Sequence, residues 1–127
     1  MKESSFRQRV VKSLKQYDPD GFSVCHSIES VFSRGFPDLF YINPFGRVIL
    51  VEFKSETGKE SALQARFRQS CQKLRGSYHL RVRIVLEKKA PPCLSVLETF
   101  WGSESREKLF LYDDFITYLL HLGGAYV

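Results

Sequence analysis

The first part of the chain has an apolar pattern with the repeat of a helix. From residue 3 to residue 16, apolar side chains recur three and four positions apart, and basic side chains fill many of the positions between them. Residues at this spacing share one face of a helix, so the segment is predicted to be an amphipathic helix. The apolar face comprises Phe6, Val10, Val11 and Leu14, and the basic side comprises Arg7, Arg9, Lys12 and Lys15.

Two apolar runs joined by a turn predict a hairpin of buried strands. The runs are residues 39–42 and 48–51, and residues 43–46 between them are of turn-forming types. A looser alternation over residues 22–28, which follows a turn at residues 18–21, predicts another strand before the hairpin.

A second helix and a further strand follow the hairpin. Residues 61–74 carry apolar positions at helical spacing, with Ser61 as the candidate N-cap and Gly76 as the stop. Residues 79–87 alternate and predict a strand. The order α-β-β-β-α-β favours an α/β fold in which a mixed central sheet is flanked by helices. The apolar positions of the second helix are Leu63, Phe67, Cys71 and Leu74.

The chain of 127 residues is long enough for one domain. We expect a core over residues 1–89 and an α-helical C-terminal extension over residues 90–127. The extension ends in a helix predicted at residues 114–122, which is apolar around much of its circumference and either closes the core or makes a subunit contact. Asp113 and Asp114 are interpreted as caps of this helix, with a metal site as the alternative.

Charged residues stand at the ends of the two hairpin strands. Asp38 opens the first strand, and Glu52 and Lys54 end the second on one face, because strand side chains alternate. If the strands pair, the acids converge. Carboxylate oxygens suit Mg²⁺ or Mn²⁺, and a neighbouring lysine can orient a water molecule or stabilise developing charge. Taken singly, Asp38 is a turn residue and the Glu/Lys pair lines a solvated strand; the combination favours metal-dependent cleavage of a phosphodiester.

These residues resemble the signature of a known group of enzymes. Pro37-Asp38 followed by Glu52-Phe53-Lys54 resembles the PD-(D/E)xK nucleases. The wider context is similar to the VRR-NUC branch of viral and repair systems, and the resemblance covers about residues 1–87. The additional matching positions are Arg34-Gly35, Gly58-Lys59 and Ser61-Ala62-Leu63-Gln64.

The resemblance implies a restriction-endonuclease-like core and a DNA endonuclease that depends on Mg²⁺ or Mn²⁺. Asp38 and Glu52 would bind the metal, with the carbonyl of Phe53 as an extra ligand. Lys54 would assist the water nucleophile and Gln64 would support it. Small members of the branch imply cutting directed by structure, such as that of branched or four-way junction DNA.

The resemblance also implies a further acid on the first helix, for which Glu3 is the candidate. The alternative is that Glu3 complements the dipole of the helix. Gln64 has an alternative too, because glutamine is a good helix former on a solvated face.

The charge balance favours a polyanionic partner. The formal net charge is +5, and basic residues are spread along the chain. Arg34, Lys59 and Arg66 are the candidate contacts to DNA, with ordinary solubilising charge as the alternative for each. We expect a homodimer, because a two-fold pair of sites can cut both strands.

Cysteine and histidine spacing gives no zinc pattern, so these residues are interpreted as structural or surface residues. They are Cys25, Cys71, Cys93, His26, His79 and His121. No segment has the length and apolarity of a membrane span or the apolar stretch of a secretory signal. The expectation is therefore no membrane partner and a reducing, cytoplasmic setting, in a bacterial or phage-infected cell.

Three other functions stay open. One is a sequence-directed duplex endonuclease of the homing or restriction type. Another is a nucleic-acid-binding module that kept the fold and lost catalysis, although a passive binder does not require two acids and a lysine together. The third is a structural subunit that assembles through the C-terminal helix.

Overall fold

The computed structural model of the protein describes residues 3–25, 37–54, 59–71, 73, 77–85, 93–100 and 105–124. Within these ranges the elements, in chain order, are α1 (Glu3–Tyr17), β1 (Phe22–Cys25), β2 (Leu39–Ile42), β3 (Val48–Lys54), α2 (Ala62–Cys71), β4 (Ser77–Val85), β5 (Cys93–Phe100), β6 (Arg106–Phe110) and α3 (Tyr112–His121).

The described strands form one six-stranded sheet in the order β1-β2-β3-β4-β5-β6. Neighbours run antiparallel except β3 and β4, which are parallel. A parallel pair needs a crossover, and α2 lies in that connection. The architecture is therefore α/β with a mixed sheet and three helices, and the predicted order α-β-β-β-α-β is confirmed.

One face of the sheet is apolar and is covered by α1 and α3. On β3, Ile49, Val51 and Phe53 belong to a buried cluster that α1 and α3 complete. Each large apolar side chain buried in this way contributes about 1.5–3 kcal/mol. The helical members of the cluster include Phe6, Val10, Leu14, Phe115, Ile116 and Leu119. Because strand side chains alternate, Glu52 and Lys54 lie on the opposite face, beside α2.

The prediction of an α-helical extension is wrong for its first part. Residues 93–100 and 106–110 form β5 and β6, which continue the sheet beyond β4. The alternation that builds β5 is visible in its burial, because Leu94 and Val96 are buried and Ser95 between them is only partly so. A strand at this point extends the apolar face of the sheet beneath α3.

The final helix exists, but it begins at Tyr112 rather than at residue 114. Its N-cap is Leu111, which makes no side-chain cap bond, so the capping role predicted for Asp113 and Asp114 is wrong. Both acids lie in the first turn, where their charge complements the helix dipole. The helix buries Phe115, Ile116 and Leu119 in the core, so of the two predicted alternatives it closes the core.

The second helix is rotated relative to the prediction. Leu63 was assigned to its buried face but is 44% exposed. Phe67 is partly buried, as predicted, but so are Gln64 and Arg68, which the prediction did not place on the inner face. Gln64 and Arg68 turn inward because they meet polar partners there, Lys54 and Glu60. Of strand 22–28, the positions after 25 lie outside the described residues, as do those of strand 79–87 after 85.

Asn43 fixes the turn of the β2–β3 hairpin to the end of α3. Its buried side chain accepts hydrogen bonds from the amides of Phe45 and Arg47 at 3.1 and 3.0 Å. Its Nδ2 donates to the carbonyls of Leu119 and Leu122 at 3.2 and 2.6 Å. The hairpin is thereby held at its turn, and its open end carries the candidate site.

No helix within the described ranges is both long and apolar enough to cross a bilayer.

Candidate functional site

The pairing of β2 with β3 brings two acidic positions to the open end of the hairpin. Leu39 lies opposite Val51 in this antiparallel pair. Asp38 precedes Leu39 and Glu52 follows Val51, so the next positions outward are these two acids. Their approach depends on the register, which the buried apolar runs of both strands set.

Asp38 is held at the edge of β3. Its Oδ2 accepts a hydrogen bond from the Phe53 amide at 2.9 Å, and Arg7 Nη1 of α1 lies 3.7 Å from its Oδ1. In a strand the N–H and C=O of one residue point to the same neighbour, so the Phe53 carbonyl also faces the Asp38 side. The carboxylate and this carbonyl are therefore presented at one edge.

Of the two acids, Glu52 is the more deeply buried. Its side chain is fully buried, and neither carboxylate oxygen has a hydrogen-bond partner among the described residues. The Nε2 atom of His79 lies 3.3 Å from the Oε1 atom of Glu52. An ionised carboxylate without a partner loses several kcal/mol of hydration free energy on burial. Such a group is stabilised by a cation, which makes this position a candidate for one.

Lys54 and Gln64 are brought together by the start of α2. Lys54 Nζ donates to Gln64 Oε1 at 2.6 Å. The same oxygen accepts the Ser61 amide at 3.0 Å, and Ser61 Oγ accepts the Gln64 amide at 3.1 Å. This reciprocal pair is a capping box, and it confirms Ser61 as the N-cap. Gln64 therefore anchors the ammonium group to a helix terminus.

The remaining predicted site residues lie at varying distances from this centre. Glu3 begins α1 one helical turn before Arg7, the residue near Asp38, and its side chain lies outside the described part of the chain. Arg34 also lies outside it. Lys59 and Arg66 are exposed, the first before α2 and the second on it. Arg66 lines a shallow basic depression together with Arg68, Gln69, Ser70 and Lys73.

The sequence interpretation missed the part played by β4. In the parallel register Glu52 lies beside Arg81 and Lys54 beside Arg83, so all four side chains share one face of the sheet. His79, predicted to be structural or at the surface, is fully buried next to Glu52. The sequence did contain a signal for this. His79, Arg81 and Arg83 are two residues apart on β4, which is the same spacing as that of Glu52 and Lys54 on β3.

Glu60 and Arg68 link α2 to this polar face. Three Arg68–Glu60 hydrogen bonds measure 3.1–3.3 Å, and Arg81 Nη1 lies 3.6 Å from the same carboxylate. Arg68 also donates to Ser105 at 3.4 Å. These contacts explain why a charged side chain of α2 points inward, and they hold the helix over Glu52 and His79.

The described side chains form no group of three or more His, Cys, Asp and Glu residues able to hold a metal ion.

No protein-family model matches the chain, and no curated protein and no solved structure matches it either. The functional inference therefore rests on the residues of the site.

Proposed function

We propose that the protein is a metal-dependent DNA endonuclease with a restriction-endonuclease-like core and with Asp38, Glu52 and Lys54 at its active centre. The observation that carries the proposal is the buried Glu52 carboxylate, which has no hydrogen-bond partner among the described residues. Glu52 lies on β3 two residues before Lys54, which ends the strand, and the paired strand β2 begins directly after Asp38. Two acids and a lysine in this arrangement suit metal-dependent hydrolysis of a phosphodiester.

Mg²⁺ or Mn²⁺ fits the oxygen donors at this end of the hairpin. Glu52 and Asp38 would supply carboxylate oxygens and Phe53 its carbonyl, with Glu3 of α1 as a further acid. When bound, such an ion polarises the scissile phosphate and lowers the pKa of a bound water. The fit is supported by the two unpartnered oxygens of Glu52, which a positive charge would satisfy.

Lys54 has a defined task in this arrangement. The hydrogen bond to Gln64 fixes the direction of its side chain and uses one of three ammonium donors. The other donors can orient the attacking water and stabilise the negative charge that grows on the phosphate in the transition state. Gln64 is then a positioning residue, since it contacts Lys54 and is itself fixed by Ser61.

The neighbouring basic residues favour DNA as the substrate. Arg83 lies beside Lys54 on the same face of the sheet, and Lys59 and Arg66 are exposed on the α2 side. Arg34 precedes Asp38 in the sequence. Cations along both sides of an active centre can hold the phosphates that flank the scissile bond. The resemblance favours branched DNA, such as a four-way junction, as the substrate. A homodimer is the assembly that this proposal favours, because a two-fold pair of sites can cut both strands.

The decisive experiment compares cleavage of labelled four-way junction, flap, single-stranded and duplex DNA in Mg²⁺, Mn²⁺ or EDTA. We expect metal-dependent cutting, strongest on the junction, that is lost in Asp38→Ala and Lys54→Ala. Lys15→Ala is the matched control, because Lys15 is an exposed residue of α1 away from the site.

The outcomes separate the alternatives. Cutting that survives both site substitutions would overturn the proposal. Salt-sensitive binding without cutting would identify a binding module, and cutting confined to one duplex sequence would identify a homing- or restriction-type enzyme. Analytical ultracentrifugation of the same preparation tests the homodimer.

A further inference from the structure

Glu52 and His79 form a buried pair on adjacent parallel strands. Both side chains are 0% exposed, and Oε1 and Nε2 are 3.3 Å apart. Neither the two carboxylate oxygens nor the two ring nitrogens have a hydrogen-bond partner among the described residues. Four polar atoms in one buried place without partners are costly unless something else satisfies them.

The contact between the two groups is close but poorly aligned. At 3.3 Å an imidazole N–H could reach a carboxylate, yet the direction required of a hydrogen bond is not met. Two groups that bind the same divalent ion can lie equally close without the alignment of a hydrogen bond. With metal–ligand bonds of about 2.0–2.2 Å, neighbouring octahedral or tetrahedral ligands lie roughly 2.8–3.6 Å apart, without any hydrogen-bond alignment.

We propose that Glu52 and His79 are ligands of the same divalent cation. This inference rests on the proposed function, because it adds an imidazole nitrogen to the site that was assigned oxygen ligands alone. The position of His79 is set by the strands: His79 lies beside Leu50 in the β3–β4 register, two residue pairs before Glu52 and Arg81 and on the same face of the sheet. Phe67 of α2 packs on the ring, with the ring centroids 6.2 Å apart.

A nitrogen ligand changes which ion the site prefers. Mg²⁺ takes oxygen ligands almost entirely, whereas Mn²⁺, Co²⁺ and Zn²⁺ accept imidazole readily. The pair therefore predicts that Mn²⁺ binds more tightly than Mg²⁺. Substitution of His79 is expected to weaken Mn²⁺ binding by at least about tenfold and Mg²⁺ binding by less.

The test detects the nitrogen directly. Mn²⁺ is bound to the tag-free protein, its affinity is measured by calorimetry, and electron spin-echo modulation reports coupling to a histidine nitrogen. We expect this coupling in the unsubstituted protein and in His121→Gln, and its loss in His79→Gln. His121 is the matched control because it is exposed on α3 and contacts the Thr117 carbonyl at 2.8 Å.

A second variant covers the case in which His79→Gln does not fold. The chain has three histidines, so the double variant His26→Gln/His121→Gln retains His79 alone. Labelling it with ¹⁵N-histidine must then change the modulation pattern of bound Mn²⁺. Bound Mn²⁺ without histidine coupling in the unsubstituted protein would overturn the inference.

The failure of this inference is distinguishable from that of the proposed function. Metal-dependent cutting without histidine coupling leaves the nuclease intact and removes the imidazole ligand. Histidine coupling without any cutting supports the metal site and rejects the nuclease. An absence of all divalent-ion binding rejects both.

Discussion

Gln64 Oε1 accepts a hydrogen bond from Lys54 Nζ at 2.6 Å while the same oxygen also accepts the Ser61 amide. One oxygen thus joins the last residue of β3 to the first turn of α2. The position of the ammonium group therefore depends on how well this helix terminus is formed. Substitutions that remove the acceptor of Lys54 or only the helix cap can test this dependence.

Gln64→Leu is expected to reduce cleavage about 10–100-fold, because Lys54 loses the acceptor that directs it. Ser61→Ala removes only the cap and should cost about 1 kcal/mol of unfolding free energy, with a smaller loss of activity. Single-turnover cleavage and urea unfolding of both variants make the comparison. Equal activity losses in the two would indicate that Gln64 acts only through helix stability.

Asp38→Asn separates charge from hydrogen bonding at Asp38. An amide oxygen can still accept the Phe53 amide, so we expect the thermal midpoint to change little. The ion pair with Arg7 is long and partly exposed, and its loss is worth at most about 1 kcal/mol. Cleavage should nevertheless disappear. An active, stable Asp38→Asn protein would show that this acid is only the turn residue of the alternative interpretation.

Glu52→Gln is expected to stabilise the metal-free protein by about 1 kcal/mol or more, because it replaces a fully buried carboxylate that has no hydrogen-bond partner among the described residues by a neutral group of the same shape. Mn²⁺ should raise the thermal midpoint of the unsubstituted protein and leave that of the variant unchanged. Melting curves in EDTA and in Mn²⁺ test both statements. A variant that melts lower in EDTA would show that Glu52 is satisfied without a metal.

Arg83→Ala should weaken DNA binding mainly at low salt. Arg83 lies beside Lys54 across the parallel pair, where it can hold one phosphate. In an Asp38→Asn background, which prevents cutting, the slope of log affinity against log salt should fall by about 0.9. Titrations at several salt concentrations measure it, with Lys15→Ala as the control of equal charge change.

Alkaline pH should destabilise the fold through Tyr41, which is buried, and Tyr118, which is partly buried. Burial, and then the Glu98 carboxylate that accepts its hydroxyl, raise the pKa of Tyr118 far above 10.0, and burial with Asp18 does the same for Tyr41. The native state therefore keeps protons that the unfolded chain loses above about pH 10, and stability falls as the pH rises from there. Denaturant unfolding from pH 8 to 11 should show this fall, and Tyr118→Phe should make it shallower.

The hairpin and its site residues were predictable because the signals are local. Two apolar runs and a turn set the register that places Asp38 opposite Glu52, and helical spacing found α1. Prediction failed where contacts between distant segments determine which side chains are buried. Leu63 was assigned inward because it is apolar, yet Gln64 turns inward since Lys54 is there.

The missed strands and the missed histidine have related causes. Residues 94–101 contain several apolar positions, but these did not predict a strand. β5 forms as a strand because it pairs with β4, and that pairing is not evident from its own sequence. His79 contacts Glu52 only because α2 returns the chain to a parallel position, and the spacing of polar residues on β4 alone does not specify that register.

The amide of Asn43 joins segments that are made at different times. Its donors reach carbonyls 76 and 79 residues later in the chain, so the hairpin cannot acquire these bonds until α3 has been synthesised. Closing so long a loop is slow, because its entropy is lost before the contacts form. In a nascent chain, the hairpin that carries Asp38 and Glu52 would thus lack these two bonds until its final helix has left the ribosome.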